Sequence, residues 1–407
     1  MRRPTAPGSS GPIPGRTTST TGSRASTIRT TRPPARSWPR SSPASRSRPT
    51  AGWSASPRTR PPGRRPIHWS QDLPHSTYLI FLAAAPYVVV RDSYGNLPVN
   101  YWVYPGDEAK ARPTYGKTPA MIAFFNGIFG YDYPWQKYDQ ISVPLGGGAE
   151  STSATAMTSR IMVSEADEPD FSAIGIVSHE LAHQWWGDLI TLRSWGHAWM
   201  NESFGTYSDY LYHRHDRGED EGAVNLQNKL AAYLREAKTR YIRPIVSDRY
   251  DKPEDMFDSH SYPKGALVLH MLRSILGDEI FFKTLSHFLH RYAFDAVDTA
   301  DFIRSVKTVT GQNLDWFFDQ WLFKPGHPVF DIRSEWDAAK KTVRLKVVAG
   351  PGLRQGRARL PRPGRRQDRH GRRGGDTPRL DPGARKRRSN SRPRRNRCSS
   401  ASTRRTS

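Results

Sequence analysis

Two histidines four residues apart lie in an apolar segment with helical periodicity, and this pair constrains the fold more than any other feature. The segment reads His179-Glu180-Leu181-Ala182-His183 and runs on into Trp185 and Trp186. Residues at i and i+4 of an α-helix project from one face about a turn apart. A helix through this segment therefore brings both imidazoles within reach of a single metal ion.

A third ligand has to come from elsewhere in the chain, because a catalytic metal site has three protein ligands and one open position. Glu202 follows His183 after 18 intervening residues, which is enough chain for a helix end, a loop and the start of a second helix. Asp209 lies about two helical turns beyond Glu202 and shares its face. We expect Asp209 to accept a hydrogen bond from the second ring nitrogen of a ligand histidine.

The metal interpretation has to be weighed against an ordinary one. A histidine on an apolar helix is usually a hydrogen-bonded core residue, and H-E-x-x-H also arises by chance in long chains. The spacing to Glu202 and the apolar surroundings favour a metal site, and two imidazoles with one carboxylate suit zinc. The sequence therefore predicts one Zn²⁺ per chain, bound by His179, His183 and Glu202, with Glu180 as the catalytic base of a metallopeptidase.

The charge of the chain is unevenly distributed. The net charge is +24 over 407 residues, but residues 1–65 contain 14 arginines and no acidic residue, and residues 351–407 contain 20 basic residues and three aspartates. The residues between them carry a net charge of −7. Ends so rich in Arg, Pro and Ser bury too little apolar surface to offset chain entropy, so we expect both to be disordered.

Three interpretations of these ends remain open. The ordinary one is solvated coil. The second is an arm that binds nucleic acid by neutralising phosphates, but few aromatic residues lie among the basic ones, and we expect no nucleic-acid partner. The third is a gene read out of frame, which the abrupt change of composition after Gly350 suggests.

The sequence does not determine the cellular compartment. The single cysteine is Cys398, so neither an intrachain disulfide nor a thiolate metal site is expected. No apolar stretch follows the first charged residues, so we expect no secretory signal. Residues 78–90 form the best apolar run, but it contains Pro86 and is too short to span a bilayer. A cytoplasmic location is favoured.

Hydrophobic patterns predict strands at both ends of the globular region and helices between them. A hairpin is predicted from residues 77–91 and 97–104, and a second pair of strands within 329–348. This order of elements favours an α+β fold in which β modules flank a helical catalytic block. The predicted helices are 118–130, a segment after 169, 200–212, 221–238, 263–276, 278–292, 299–309 and 313–322.

The metal motif and its surroundings closely resemble the M1 family of aminopeptidases. The resemblance rests on SHELAHQWWGDLIT at 178–191 and NESFGTYSDY at 201–210, and it extends from about residue 69 to residue 348. It implies a thermolysin-like, mainly helical catalytic domain with a small mixed sheet. It also implies a single zinc ion, and substrates that are peptides with a free N-terminus.

Two further motifs of that family have counterparts here. The family's Gly-x-Met-Glu-Asn motif, whose glutamate binds the substrate's α-amino group, corresponds to Gly147-Gly148-Ala149-Glu150-Ser151. Glu150 is retained, but alanine and serine replace Met and Asn, which changes the shape of the first substrate pocket. Tyr262, followed by Pro-Lys-Gly-Ala, matches the family's tyrosine and is expected to hydrogen-bond the oxyanion. The resemblance thus implies substrate contacts from Gly147, Gly148, Ala149 and Glu150.

The resemblance also implies a domain organisation in which the flanking domains are incomplete. Family members begin with a large β-sheet domain, of which only the last strands are expected here, and end with a helical domain that is expected to be absent. The expected divisions are a disordered tail at 1–66, a β-domain remnant at 67–112, the catalytic domain at 113–328, the start of a β-sandwich module at 329–350 and a disordered tail at 351–407.

The combined prediction is a zinc aminopeptidase, with two alternatives. One is a truncated, inactive metallopeptidase fragment that keeps the zinc site but lacks a full enclosure for the substrate. The other is an endopeptidase with the same zinc core. Glu150 argues against the endopeptidase, because a buried carboxylate at the amine position penalises binding of internal peptide bonds.

Overall fold

The computed structural model describes residues 69–168 and 170–350. The tails predicted at 1–66 and 351–407 lie outside these described residues. The described residues belong to two units, with residues 69–74 in the first and the residues from 75 onward in the second. Within the first unit, the described residues 69–74 form neither helix nor strand. The elements below belong to the second unit.

A five-stranded mixed sheet precedes most of the helices. Its strands are β1 Val88–Tyr94, β2 Leu97–Val103, β3 Tyr138–Val143, β4 Gly148–Ala149 and β5 Ala154–Thr158. Their order is β1-β2-β3-β5-β4, with β1 and β2 antiparallel, β2, β3 and β5 parallel, and β4 antiparallel at one edge. Val99, Tyr101 and Val103 are fully buried, as expected when alternate residues of a strand face the core.

The helices carry recognisable start and stop signals. They are α1 Glu108–Tyr115, α2 Thr118–Phe129, α3 Ile174–Ala182, α4 Trp199–Arg217, α5 Glu219–Thr239, α6 Gly265–Leu276, α7 Asp278–Tyr292, α8 Thr299–Thr310 and α9 Asp315–Trp321. Helix α2 has Pro119 in its first turn and ends at Gly130 in the left-handed conformation. Asp298 caps α8 by accepting the backbone N–H groups of Ala300 and Asp301.

An aromatic core holds the end of α3 against its neighbours. Trp185 and Trp186 lie three and four residues after the end of α3 and are fully buried. The ring of Phe129 on α2 lies 5.5 Å from Trp185 and 5.1 Å from Trp186, and Phe204 on α4 lies 4.6 Å from Trp186. Truncating a buried aromatic residue to alanine costs about 3–5 kcal/mol. This core therefore fixes the position of α3 relative to α4.

Two small sheets complete the described part of the chain. The strands β6 Thr191–Leu192 and β7 Ala296–Val297 pair in parallel, and β8 Val329–Asp337 and β9 Thr342–Gly350 form an antiparallel hairpin. In this hairpin Ile332 lies opposite Val347 and Trp336 opposite Val343, so one face is apolar. Ile332, Trp336 and Val343 are exposed. Among the described residues, no helix is both long and apolar enough to cross a membrane.

The α+β class predicted from the sequence is confirmed, with two local differences. Residues 77–79 form a 3₁₀ turn and strand β1 begins only at Val88, because Pro86 interrupts the apolar run and cannot donate to a strand ladder. Helix α1 is absent from the sequence prediction, since Pro113 breaks its helical pattern. The domain divisions remain a prediction. Strands β1 and β2 share one sheet with β3.

Candidate active site

Helices α3 and α4 bring three side chains with metal-binding atoms together. His179 lies on α3, His183 is the residue directly after its end, and Glu202 lies in the first turn of α4. The Nε2 atoms of the two histidines are 3.1 Å apart, and Oε2 of Glu202 is 3.4 Å from His179 and 3.3 Å from His183. The three predicted ligands therefore converge on one point.

These three atoms have the spacing of a metal site. Zinc ligands lie about 2.0–2.2 Å from the ion, so two ligands of a tetrahedral ion are about 3.3–3.6 Å apart. The observed separations of 3.1–3.4 Å are close to this range. In addition, Oε2 of Glu202 is buried and accepts no hydrogen bond. A metal ion between the three atoms satisfies all of them, so the residues fit the group.

The second ring nitrogen of His183 determines which tautomer is present. Its Nδ1 lies 2.8 Å from the backbone carbonyl of Trp186. A carbonyl oxygen only accepts hydrogen bonds, so Nδ1 carries the proton and donates it. The lone pair of Nε2 is then free to bind a metal, and the ring is fixed in orientation.

The charges at the site favour a cation. Burial alone would raise the pKa of Glu202, but His183 and His179 outweigh burial and lower it to about 2. Burial alone would lower the pKa of His183, but the carboxylate of Glu202 outweighs burial and raises that pKa well above its usual value. The carboxylate is therefore ionised at neutral pH and favours positive charge at the Nε2 atoms, which a proton or a metal ion can supply.

Glu180 lies beside the ligands and against strand β4. Its side chain is buried, and a Cβ added to Gly148 would lie 2.1 Å from its Oε1. The absence of a side chain at Gly148 therefore gives Glu180 its space. Burial raises the pKa of Glu180 to about 8; His183 opposes this rise, whereas Glu150 and Glu202 add to it. A carboxyl group that titrates near neutrality can both take up and release a proton.

Glu150 follows β4 on a loop that is hydrogen-bonded to Gln184, directly after the predicted ligand His183. Its carboxylate influences Glu180 electrostatically. Its backbone carbonyl accepts a hydrogen bond from Nε2 of Gln184 at 3.3 Å, and Oε1 of Gln184 accepts one from the backbone N–H of Ser153 at 2.8 Å. Gln184 is fully buried next to His183. This side chain therefore couples the position of Glu150 to the metal ligands.

The other residues predicted to contact substrate lie on or next to the edge strand of the sheet. Gly148 and Ala149 form β4 and pair with β5 on one side only. A side chain at Gly147 would meet no atom within 4 Å. The outer edge of β4 therefore leaves backbone groups available to an extended peptide.

Tyr262 lies in a single π-helical turn, His260–Lys264, that leads into α6. Its ring stacks on the ring of His179, with centroids 5.9 Å apart and planes inclined by 13°. Burial, followed by the carboxylates of Glu202 and Glu150, raises the pKa of Tyr262 well above its usual value. The phenol therefore keeps its proton and acts as a hydrogen-bond donor beside the metal ligands.

Asp209 is not placed as predicted. Its carboxylate accepts a hydrogen bond from Lys229 on α5 at 2.6 Å, and none of its described hydrogen bonds goes to His179 or His183. Two helical turns carry it about 10 Å along α4 from Glu202, which is past the ligand histidines. Asp209 instead ties α4 to α5.

Gly205 is a site residue that the sequence prediction missed. It lies on α4 one turn after Glu202, and a Cβ there would be 3.0 Å from both Cε1 of His179 and Nε2 of His183. Glycine inside a helix costs about 1 kcal/mol relative to alanine. A helical glycine three residues beyond a ligand was therefore the available signal that space is needed at this position.

Tyr78 is a second residue that the prediction missed. Its hydroxyl accepts a hydrogen bond of 3.0 Å from Nδ2 of Asn201, the neighbour of Glu202. Its ring packs edge-on against Trp195 at 5.2 Å. Burial, followed by nearby carboxylates that include Glu150, raises the pKa of Tyr78. The segment before β1 therefore contacts α4 next to the predicted ligand Glu202.

Known proteins resemble this chain in sequence. It is 28% identical over 274 residues to "Probable aminopeptidase 1" of Sulfurisphaera tokodaii, which covers 65% of this chain and 35% of that protein. It is 27% identical over 286 residues to "Aminopeptidase 2" of Candida albicans, with coverages of 67% and 31%. The chain thus spans about a third of the length of the curated relatives it matches.

A solved structure shares the fold. The crystal structure of Legionella pneumophila aminopeptidase A in complex with aspartic acid superposes with a TM-score of 0.58 at 20% identity, covering 69% of this chain and 33% of that one. The profile of the "Peptidase family M1 domain" matches residues 114–321, about half of this chain. That range contains all three predicted metal ligands. This chain belongs to peptidase family M1, a family of metallopeptidases.

Proposed function

We propose that this chain is the catalytic part of a zinc-dependent aminopeptidase that hydrolyses the N-terminal peptide bond of peptides. One observation carries the proposal: His179, His183 and Glu202 converge on one point, with Glu180 and Tyr262 beside it. The names of the matched aminopeptidases support this class of substrate.

Zinc is the metal that we propose for the site. Two neutral imidazoles and one carboxylate, without sulfur, are a donor set that catalytic zinc uses while one position stays open. A bound zinc ion polarises the scissile carbonyl and makes water more acidic. The side chains of this protein bind the peptide, move the proton and orient the reacting groups.

Glu180 moves the proton in this proposal. Its carboxylate accepts a proton from the attacking water and later passes it to the nitrogen of the leaving peptide. Its buried position beside the ligands shields this transfer from bulk solvent. The space left by Gly148 lets the carboxylate lie against β4, so the glycine run before Glu150 serves the base as well as the substrate.

Tyr262 stabilises the charge that develops on the substrate. As the carbonyl carbon becomes tetrahedral, its oxygen becomes negative, and a neutral phenol in reach donates a hydrogen bond to it. Tyr262 meets both conditions, because its pKa is raised and its ring lies against that of His179. Removal of one donor of this kind costs about 10²–10³ in kcat.

Glu150 gives the preference for a free N-terminus. Its carboxylate pairs with the substrate's α-ammonium group, whereas an internal segment presents an uncharged amide and leaves the carboxylate unpaired. The open edge of β4 directly before Glu150 supplies backbone groups for the rest of the peptide. An endopeptidase with this site is disfavoured for the same reason.

The test is hydrolysis of aminoacyl-anilides by purified protein. We expect activity that a chelator removes and zinc restores, and we expect Glu180→Gln to lower kcat by about 10²–10⁴-fold while still binding one zinc ion. Glu221→Gln, an exposed position on α5, is the matched control and should behave as wild type. Activity that survives the chelator, or a wild-type kcat in Glu180→Gln, contradicts the proposal.

A blocked substrate tests the role of Glu150 separately. N-acetylation removes the ammonium group, so it should reduce kcat/KM for wild type strongly and for Glu150→Gln much less. Equal sensitivity of both proteins to acetylation would remove Glu150 from its proposed role. One zinc ion bound per chain without hydrolysis of any free or blocked substrate would support the inactive-fragment alternative.

A further inference from the structure

A second cluster of histidine and carboxylate side chains lies close to Tyr262. The metal-binding atoms of Glu236, Asp258 and His260 all lie within 4.8 Å of one another. Judged by residue type alone, this cluster resembles the first one. Its hydrogen bonds point to a different role.

The metal-binding atoms of this second cluster already have protein partners. The fully buried His260 has its Nδ1 3.2 Å from Oδ2 of Asp258, and its Nε2 accepts the backbone N–H of Arg243 at 3.3 Å. Glu236 accepts hydrogen bonds from Arg240 at 2.7 Å and from the backbone N–H of Ser259 at 2.6 Å. Neither ring nitrogen of His260 is left to bind a metal, so the cluster is a hydrogen-bonded network.

Arg243 lies at the centre of this network. Its Nε and one terminal nitrogen donate to both carboxylate oxygens of Asp258, at 2.8 and 2.6 Å. Its guanidinium also donates to the backbone carbonyls of residues 244–245, to the carbonyl of Met256 and to Oγ of Ser261. Only 4% of the Asp258 side chain is exposed. A planar guanidinium fork makes this set of bonds, and a lysine ammonium cannot reproduce it.

Asp258 links Arg243 to the turn that carries Tyr262. Its Oδ1 accepts hydrogen bonds from the backbone N–H groups of His260 at 2.9 Å and Ser261 at 3.1 Å. The backbone carbonyl of Asp258 accepts a hydrogen bond from the backbone N–H of Tyr262 at 3.0 Å. From the other side, Oγ of Ser203 on α4 donates to the carbonyl of Ser261 at 2.5 Å. The backbone before the Tyr262 ring is therefore held from two directions.

This turn needs support because it is not a regular helix. Single π-helical turns are rare in proteins, and those that occur are often found at functional sites. Pro263, inside the turn, has no N–H to contribute to the helical ladder. Side-chain acceptors and donors have to hold a segment whose own backbone bonds are incomplete, and Asp258 and Arg243 provide them.

We infer that Arg243 and Asp258 are positioning residues that fix the π-helical turn, so that the ring of Tyr262 is held against the ring of His179. The inference rests on the proposed function for its consequence in catalysis. Neither residue is among the proposed metal ligands, and both affect the reaction only through the position of Tyr262. Arg243→Lys keeps the charge but loses the fork, so it should loosen the turn without emptying the metal site.

A double-mutant cycle on the zinc-loaded full chain tests the inference. We expect Arg243→Lys to lower kcat by about 10–100-fold and to change KM by less than about twofold, because displacement of a reacting group by about 1 Å costs on the order of 10² in rate. In the Tyr262→Phe background the same change should lower kcat less than about twofold, since no hydroxyl remains to be positioned. Equal losses of kcat in both backgrounds would overturn the inference.

Arg273→Lys is the matched control. Arg273 makes a bidentate pair with Asp278 at 2.8 and 2.5 Å, between α6 and α7. This variant also replaces a guanidinium that pairs with an aspartate, and it should leave kcat within about twofold of wild type. A loss of kcat in Arg273→Lys that matches the loss in Arg243→Lys would show general loosening and not positioning.

A spectroscopic readout separates this inference from the proposed activity. In protein labelled with 3-fluorotyrosine, the fluorine resonance of Tyr262 is identified by its absence in Tyr262→Phe. That resonance should shift or broaden in Arg243→Lys and stay unchanged in Arg273→Lys. An unchanged resonance in Arg243→Lys contradicts the inference. Because no hydrolysis is measured, an inactive wild type would refute the proposed function and leave this test valid.

Discussion

The two histidine–carboxylate clusters contain similar side chains and differ in what surrounds them. In the cluster of His179, His183 and Glu202, a buried carboxylate oxygen accepts no hydrogen bond and the Nε2 atoms lie 3.1 Å apart. In the cluster of Glu236, Asp258 and His260, donors from Arg243 and the backbone satisfy the carboxylates. The first cluster leaves a buried carboxylate oxygen without a hydrogen-bond donor, whereas the carboxylates of the second cluster have such donors.

This difference is the basis on which we distinguish the proposed metal centre from an ion-pair network. Both clusters combine histidine and carboxylate side chains whose metal-binding atoms lie within 4.8 Å of one another, so residue type and proximity are not sufficient evidence of metal binding. A carboxylate oxygen without a hydrogen-bond donor, at 3.3–3.4 Å from two imidazole nitrogens, leaves room and charge for a cation. Atoms already engaged by an arginine fork do not. The first cluster is thus proposed to do chemistry, and the second to hold the residue that assists it.

The largest effect should come from removing a ligand of the first cluster. His183→Ala leaves only two ligands, so we expect loss of stoichiometric zinc and loss of detectable aminopeptidase activity. His260→Ala, the corresponding change in the second cluster, should retain one zinc ion per chain. Metal analysis after dialysis checks both. Loss of zinc from His260→Ala, or its retention in His183→Ala, would abolish the distinction between the clusters.

Glu180→Gln should have the next largest effect, because it leaves the ligands in place and removes the proton acceptor. General acid–base groups contribute about 10²–10⁴ in rate, so kcat should fall by that factor with zinc content unchanged. Steady-state kinetics with metal analysis on the same sample measure both quantities. A variant that keeps wild-type kcat would exclude Glu180 as the base.

Asp258→Asn should destabilise the fold in a pH-dependent way. It leaves Arg243 buried without its charge partner, so the free energy of unfolding should fall by about 3–5 kcal/mol at neutral pH. Burial would raise the pKa of Asp258, but hydrogen bonds from His260 and Arg243 outweigh burial and hold it well below its usual value. A depressed folded-state pKa contributes stability that is present above the unfolded-state pKa and is lost as pH falls toward the folded one.

The stability difference between wild type and Asp258→Asn should therefore be constant above about pH 5 and shrink below about pH 4. Urea unfolding across this range, with chelator present so that both proteins are metal-free, measures it. A difference that stays constant down to about pH 3 would mean that the carboxylate charge of Asp258 does not stabilise the fold.

Gly205→Ala should have the smallest of these effects. The added Cβ would press on both histidines at 3.0 Å, so zinc affinity should fall by about 10–100-fold, as for other changes beside metal ligands. Gly127→Ala on α2 is the control, because a Cβ there meets no atom within 4 Å, and it should leave zinc affinity unchanged. Competition titrations with a chromogenic chelator give both affinities. Unchanged affinity in Gly205→Ala would show that α4 yields to the extra carbon.

Local geometry explains which parts of the site could be predicted from sequence. The pair His179 and His183 follows from the pitch of one helix, and Glu202 follows from the need for a third ligand within a short connection. The role predicted for Asp209 was wrong, because a shared helix face sets the direction of a side chain but not its distance from the ligand histidines. Lys229 on a neighbouring helix donates a hydrogen bond to its carboxylate instead. The α+β class follows from the order of the apolar patterns.

Long-range contacts explain what could not be predicted. Arg243 lies in an irregular segment, and its link to Asp258 depends on how that segment folds back, which no periodicity in the sequence records. The roles of Gly148 and Gly205 are visible only when the side chains opposite them are in place. The strand predicted to begin at residue 77 begins only at Val88, because Pro86 cannot donate to a strand ladder although the residues around it are apolar.

The most direct test of the account is an anomalous difference map, measured at the zinc absorption edge, of crystals of the protein loaded with excess zinc. The account predicts one strong peak between His179, His183 and Glu202, and none between Glu236, Asp258 and His260. A peak at the second cluster, or no peak at the first, would contradict the claim that unsatisfied ligand atoms mark the metal centre.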